Sequence, residues 1–110
     1  MPQKPKKLRV YTRAESEIEP LDPKERYPMS VLAEKVEKVS MWKKGAFDIL
    51  AQNKTEKLTA ADVQSKLLES GFRKVVDLES VKKALEFLVE NGIALKRNED
   101  GERYELNLKE

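Results

Sequence analysis

The stretch that decides the fold is Val81-Lys82-Lys83-Ala84-Leu85-Glu86-Phe87-Leu88-Val89-Glu90-Asn91-Gly92-Ile93-Ala94-Leu95. Its apolar positions change period partway along. Leu78, Val81, Ala84, Leu85, Leu88 and Val89 recur at three- and four-residue spacing, which lines them along one side of a helix. Asn91-Gly92 then stops that helix, because glycine enters the left-handed conformation of a C-cap without steric cost. Beyond it Ile93 and Leu95 alternate with Ala94 and Lys96, the period of a strand. The turn Asn98-Glu99-Asp100-Gly101 follows, and Tyr104, Leu106 and Leu108 resume the alternation. Asp100-Gly101 marks a β-hairpin. The segment thus reads as helix, glycine stop and two-stranded hairpin.

Working toward the N-terminus, Asp77 is a suitable N-cap for this helix. Gly71 closes an earlier one, in which Thr59 and Asp62 have the spacing of a capping box and Val63, Leu67 and Leu68 form the apolar face. Between the two helices lies Gly71-Phe72-Arg73-Lys74-Val75-Val76-Asp77. Phe72, Val75 and Val76 are expected to cap the base of the core. Further upstream, Val31, Leu32, Val36 and Val39, then Trp42, Ala46, Ile49 and Leu50, follow helical spacing behind Ser30 as an N-cap. This is one long helix or two joined near Ser40. Gly45, in its interior, implies a close packing contact or a bend.

Punctuation and charge divide the chain near residue 29. All five prolines precede Met29 and all four glycines follow it. Residues 1–13 carry Lys4, Lys6, Lys7, Arg9 and Arg13 and no acid, whereas residues 14–30 carry five acids against Lys24 and Arg26. Residues 31–110 balance at 15 positive and 15 negative. A Pro-punctuated block of this kind has too little apolar surface to offset the entropy of ordering. The expected organisation is therefore a flexible charged tail over 1–29 and one folded domain over 30–110. The fold class is mainly α with a small β-hairpin.

Composition narrows the chemistry. The 110 residues include no His and no Cys, which removes Ser-His-Asp and Cys-His nucleophiles, imidazole or thiolate metal sites, and disulfides. No Gly-rich phosphate loop is present. Glu15, Glu17 and Glu19 are accounted for by an acidic tail. No enzyme, metal or cofactor is expected. No apolar run is long enough for a membrane span or a signal peptide, so the expected setting is intracellular.

Three helices, the last two forming a helix-turn-helix, followed at once by a hairpin, make residues 41–109 resemble the winged-helix domains. Lys57-Leu58-Thr59 sits where such folds place a small strand beside the wing. The seven-residue turn 71–77 is longer than the usual three or four. The resemblance implies duplex DNA as partner, with the third helix in the major groove and the wing on the flanking backbone. The expected contacts are Arg73, Lys74, Ser80, Lys82 and Lys83 around that helix, and Lys96, Arg97 and Arg103 on the wing. Lys4, Lys6, Lys7, Arg9 and Arg13 of the tail would add counterion-release affinity. A DNA-binding role would make the protein nucleoid-associated, in transcription or replication. The alternative is a winged-helix module that binds protein only. For that role Val31, Leu32, Val36 and Val39, together with Phe87 off the main apolar stripe, are the expected interface, by homodimerisation or with another partner.

Overall fold

The computed structural model describes residues 18–109. Four helices, α1 (Met29–Lys35), α2 (Met41–Gln52), α3 (Ala60–Glu69) and α4 (Leu78–Glu90), precede an antiparallel hairpin of β1 (Ala94–Asn98) and β2 (Glu102–Leu106). The pairing runs from Ala94 opposite Leu106 to Asn98 opposite Glu102. Asp100 and Gly101 both have positive φ at its tip, as the Asp-Gly pair requires.

The long N-terminal apolar pattern resolves into α1 and α2, separated at residues 36–40, where Val36, Val39 and Ser40 are weaker helix formers than their neighbours. Pro28 is the N-cap of α1, so Ser30 lies inside the first turn instead of capping it. The caps of the next helices are the expected ones. The Thr59 hydroxyl accepts from Asp62 N–H, and the Asp62 carboxylate accepts from Thr59 N–H, both at 3.1 Å. The Asp77 carboxylate caps α4 by accepting from Ser80 N–H. Gly71 and Gly92 end α3 and α4 with φ of 76° and 71°.

The core lies where α2, α3 and α4 meet one another and the hairpin crosses their end. Leu50, Val63, Leu67, Val81, Leu85, Leu88, Ile93 and Tyr104 are buried in it. Leu58 joins the hairpin edge through an antiparallel bridge to Tyr104, with Leu58 N–H donating to Tyr104 O at 3.0 Å and Tyr104 N–H returning to Leu58 O at 2.7 Å.

Two expectations are corrected here. The stripe Val31, Leu32, Val36 and Val39 is not an open interface: Leu32 and Val36 are buried in the chain's own core, and Val31 and Val39 are half-buried. Phe87 is likewise buried, only 1% exposed, with the Lys43 ammonium 4.4 Å from its ring centroid. The reason is that α4 has neighbours on more than one side, so it buries a wider arc than a single stripe.

The described part of the supposed tail is also packed. Leu21 N–H donates to Asn91 O at 2.8 Å, Tyr27 N–H to Asn107 O at 3.1 Å, and Lys109 N–H to Tyr27 O at 2.8 Å. Ile18, Leu21 and Tyr27 lie against the core. Residues 18–28 therefore form a strap across the base of the hairpin, fastened by Asn107. This fully buried side chain donates through Nδ2 to Gly92 O (2.9 Å) and Asp22 O (3.3 Å), and accepts at Oδ1 from Arg26 Nη1 (3.1 Å). Gly92 has no room for a side chain: a Cβ there would strike the Leu21 carbonyl oxygen and stand 2.7 Å from its carbon. The folded body thus begins well before residue 30.

Candidate nucleic-acid interface

The start of α4 brings together four of the expected contact residues. Arg73 and Lys74 precede its N-cap, and Lys82 and Lys83 lie in its first two turns; all four are exposed. No ion pair among the described residues takes up Lys74, Lys82 or Lys83. Arg73 is held without an acid: its guanidinium lies 5.5 Å from the Trp42 ring centroid, and Nη1 reaches the Met41 sulfur at 4.0 Å. Glu79 and Glu86 share the exposed side of α4 with the two lysines. Glu79, in the first turn, suits the helix N-terminus, while Glu86, past the middle of the helix, serves solubility; neither suits a phosphate.

Ser80 has a different role from the one expected. Its hydroxyl donates to the Asp77 carboxylate at 2.9 Å while its backbone N–H completes the cap at 3.1 Å. A hydroxyl whose proton is committed to a carboxylate has only lone pairs left to offer, and phosphate oxygens need donors. Ser80 belongs to the cap of α4.

The hairpin cations are spent within the fold. Arg97 Nε pairs with Glu105 at 2.7 Å, and Lys96 Nζ lies 3.9 Å from Glu102. Arg103 donates from Nε to Glu99 O (2.9 Å) and from Nη1 to Lys57 O (3.1 Å), while Lys57 itself pairs with Glu99 at 3.2 Å. Arg103 therefore stitches the segment before Leu58 to the hairpin tip. Exposed pairs of this kind are worth about 0–1 kcal/mol, so the loosely held Lys96 is the hairpin cation most readily released. The expected contact residues from Arg73 to Arg103 consequently divide into an unpaired group at the start of α4 and a hairpin set engaged with acids and carbonyls of the fold. Lys4, Lys6, Lys7, Arg9 and Arg13 lie outside the described residues.

One surface was not anticipated. Phe72 packs edge-on to Trp42, with centroids 5.3 Å apart and planes at 69°. It occupies the notch left by Gly45, where a Cβ would stand 2.6 Å from Phe72 Cε1. Beside it Met41 is 60% and Val75 75% exposed, so Val75 does not join Val76 in the core. The result is a shallow apolar groove of two adjoining hollows between the start of α2 and the 71–77 turn, sharing Met41 and Phe72, one lined also by Val39, Lys44 and Asp48 and the other by Arg73, Lys74 and Val75. Gly45 was its only sequence signal.

Among ionisable groups, burial pushes the Tyr104 phenol above the ordinary tyrosine range, with the carboxylates of Glu102 and Glu86 adding to the shift. Among the described residues no group of three or more Asp and Glu is placed to hold a metal ion, and no helix is long and apolar enough to cross a membrane. No protein family, curated protein or solved structure matches this chain.

Proposed function

We propose that the chain is a winged-helix domain that binds duplex DNA mainly through its phosphates, using the start of α4 and the basic residues 4–13, with the hairpin as a lesser contributor. The observation that carries this reading is the cluster of exposed, unpaired Lys74, Lys82 and Lys83, with Arg73 beside it, around one end of a helix whose other sides are buried. The order of α3, turn, α4 and hairpin, with Leu58 bridged to Tyr104 at the hairpin edge, supports the winged-helix assignment. Point charges on flexible stems track phosphates and carry little base information, so modest sequence preference is expected.

The test is binding to a short random-sequence duplex at several salt concentrations. Reversing Lys82 and Lys83 to Glu should weaken binding and flatten the slope of log K against log salt by about 0.9 for each phosphate that the variant no longer neutralises, up to about 1.8. Replacing Lys96 should have a smaller effect, and replacing Arg97 would disturb the hairpin before it disturbed DNA. Binding that is absent at low salt, or that survives the double reversal with its slope intact, sinks the DNA reading in favour of a protein-docking domain.

A further inference from the structure

The groove between Met41 and Val75 is built in a way that DNA contact does not require. Val75 and Met41 point large apolar side chains at solvent, and removing such surface from water stabilises a complex by about 25 cal/mol per Å². A DNA backbone of phosphates and sugars offers little apolar surface to cover it. The same groove is lined by three cations, Lys44, Arg73 and Lys74, against the single acid Asp48. Lys44 Nζ is steadied by donating to Glu37 O at 3.1 Å, and Arg73 by Trp42, so two of the three cations are already oriented. An apolar floor with a positive rim is complementary to a chain carrying aliphatic side chains between carboxylates.

We propose that this groove docks an acidic, aliphatic-rich segment of another protein, its apolar side chains on Met41, Phe72 and Val75 and its carboxylates on Arg73, Lys74 and Lys44. The chain's own N-terminal segment is a poor occupant. Residues 1–13 carry only positive charge. The acids that follow are interleaved with Ile18 and Leu21, which pack against the chain's own core, so that stretch has no free aliphatic side chains to offer the groove.

Trp42 is the one tryptophan of the chain and touches Phe72, so its emission reports occupation of the groove. The experiment titrates the intact protein with three synthetic twelve-residue peptides: alternating Glu and Leu, alternating Lys and Leu, and alternating Glu and Ser. The Glu/Leu peptide should shift Trp42 emission and bind at least tenfold tighter than either control. Val75→Asp and Lys74→Glu, both at exposed positions, should each weaken it about tenfold or more. Lys82→Glu/Lys83→Glu should leave it unchanged while impairing DNA binding, which separates a failure here from a failure of the DNA reading. Equal binding of the Lys/Leu peptide, or indifference to Val75→Asp, overturns the proposal. So does an emission change with protein concentration alone, which assigns the groove to a second copy. A response to duplex DNA that Val75→Ser abolishes overturns it as well, in favour of nucleic acid.

Discussion

Gly92 and Gly71 form a matched pair for weighing the strap. Both end helices with nearly the same φ, 71° and 76°, but a Cβ on Gly71 meets nothing within 4 Å whereas one on Gly92 collides with the Leu21 carbonyl. Gly71→Ala therefore measures the backbone cost alone. That is about 1–2 kcal/mol for an L-residue in the left-handed region, less about 0.4–1 kcal/mol recovered because alanine restricts the unfolded chain. Gly92→Ala bears the same cost and must also displace Leu21. That breaks the Leu21–Asn91 hydrogen bond and the bond from Asn107 to Asp22, about 0.5–1.5 kcal/mol each, and leaves a buried amide N–H of Asn107 without a partner, about 1–3 kcal/mol. The two variants should differ by about 2–6 kcal/mol, a large part of the roughly 5–15 kcal/mol typical of a whole domain. Urea unfolding followed by far-ultraviolet circular dichroism measures the difference, provided the m-values agree. Equal losses in the two variants would refute the strap's contribution, and residues 18–28 would be an ornament on a body that begins at α1.

Two further outcomes follow from particular contacts. Gly45→Ala should gain roughly 1 kcal/mol of helix propensity but force Phe72 out of its notch, offsetting that gain and changing the near-ultraviolet circular dichroism of Trp42; an unaltered spectrum would mean that Phe72 does not depend on the notch. The raised pKa of Tyr104 has a definite sign. The folded state holds the phenol proton more tightly than the unfolded state, so this contribution is whole below about pH 10, the ordinary tyrosine value, and is lost as pH rises through the folded value. Tyr104→Phe should flatten the alkaline decline in stability, and a decline of unchanged steepness in that variant would assign it to other groups.

Sequence-local features are legible because their causes are local. Thr59 with Asp62, Asp77 before α4, Gly71, Gly92 and Asp100-Gly101 each act within a few residues, and each appears in the structure as its sequence implies. The helical arc of α4 is only half legible: periodicity marks Val81, Ala84, Leu85 and Leu88 as core but leaves out Phe87, because a single stripe presumes one packing partner and α4 has several. The strap is invisible for a related reason. Residues 18–28 have a linker's composition, and what holds them is Asn91, Gly92 and Asn107, some 70–85 positions away in the chain. At the candidate site, exposure of Lys82 and Lys83 follows from the helical register. The engagement of Ser80 with Asp77 is foreshadowed by the cap itself, since a capping carboxylate three residues before a serine invites both of its donors. The pairing of Arg97 with Glu105 depends on hairpin register, and the groove on the fit of Phe72 against Gly45, a contact that Gly45 signals without naming its partner.

The fastening at Asn107 also governs time. Its bonds to Arg26 and Asp22 join positions 81 and 85 residues apart, close to the greatest separation the described chain allows. Closing so large a loop offers little until the helices and hairpin it rests on exist. The strap is thus the element most suited to form after the folding barrier has been crossed. Interactions absent from the transition state act on the rate of escape from the native state and leave the rate of arrival alone. Asn107 is then a latch: in a chevron plot its loss, or that of Gly92, should raise the unfolding limb and spare the folding limb. A protein with no cysteine to form a disulfide would gain persistence in this way from one buried amide.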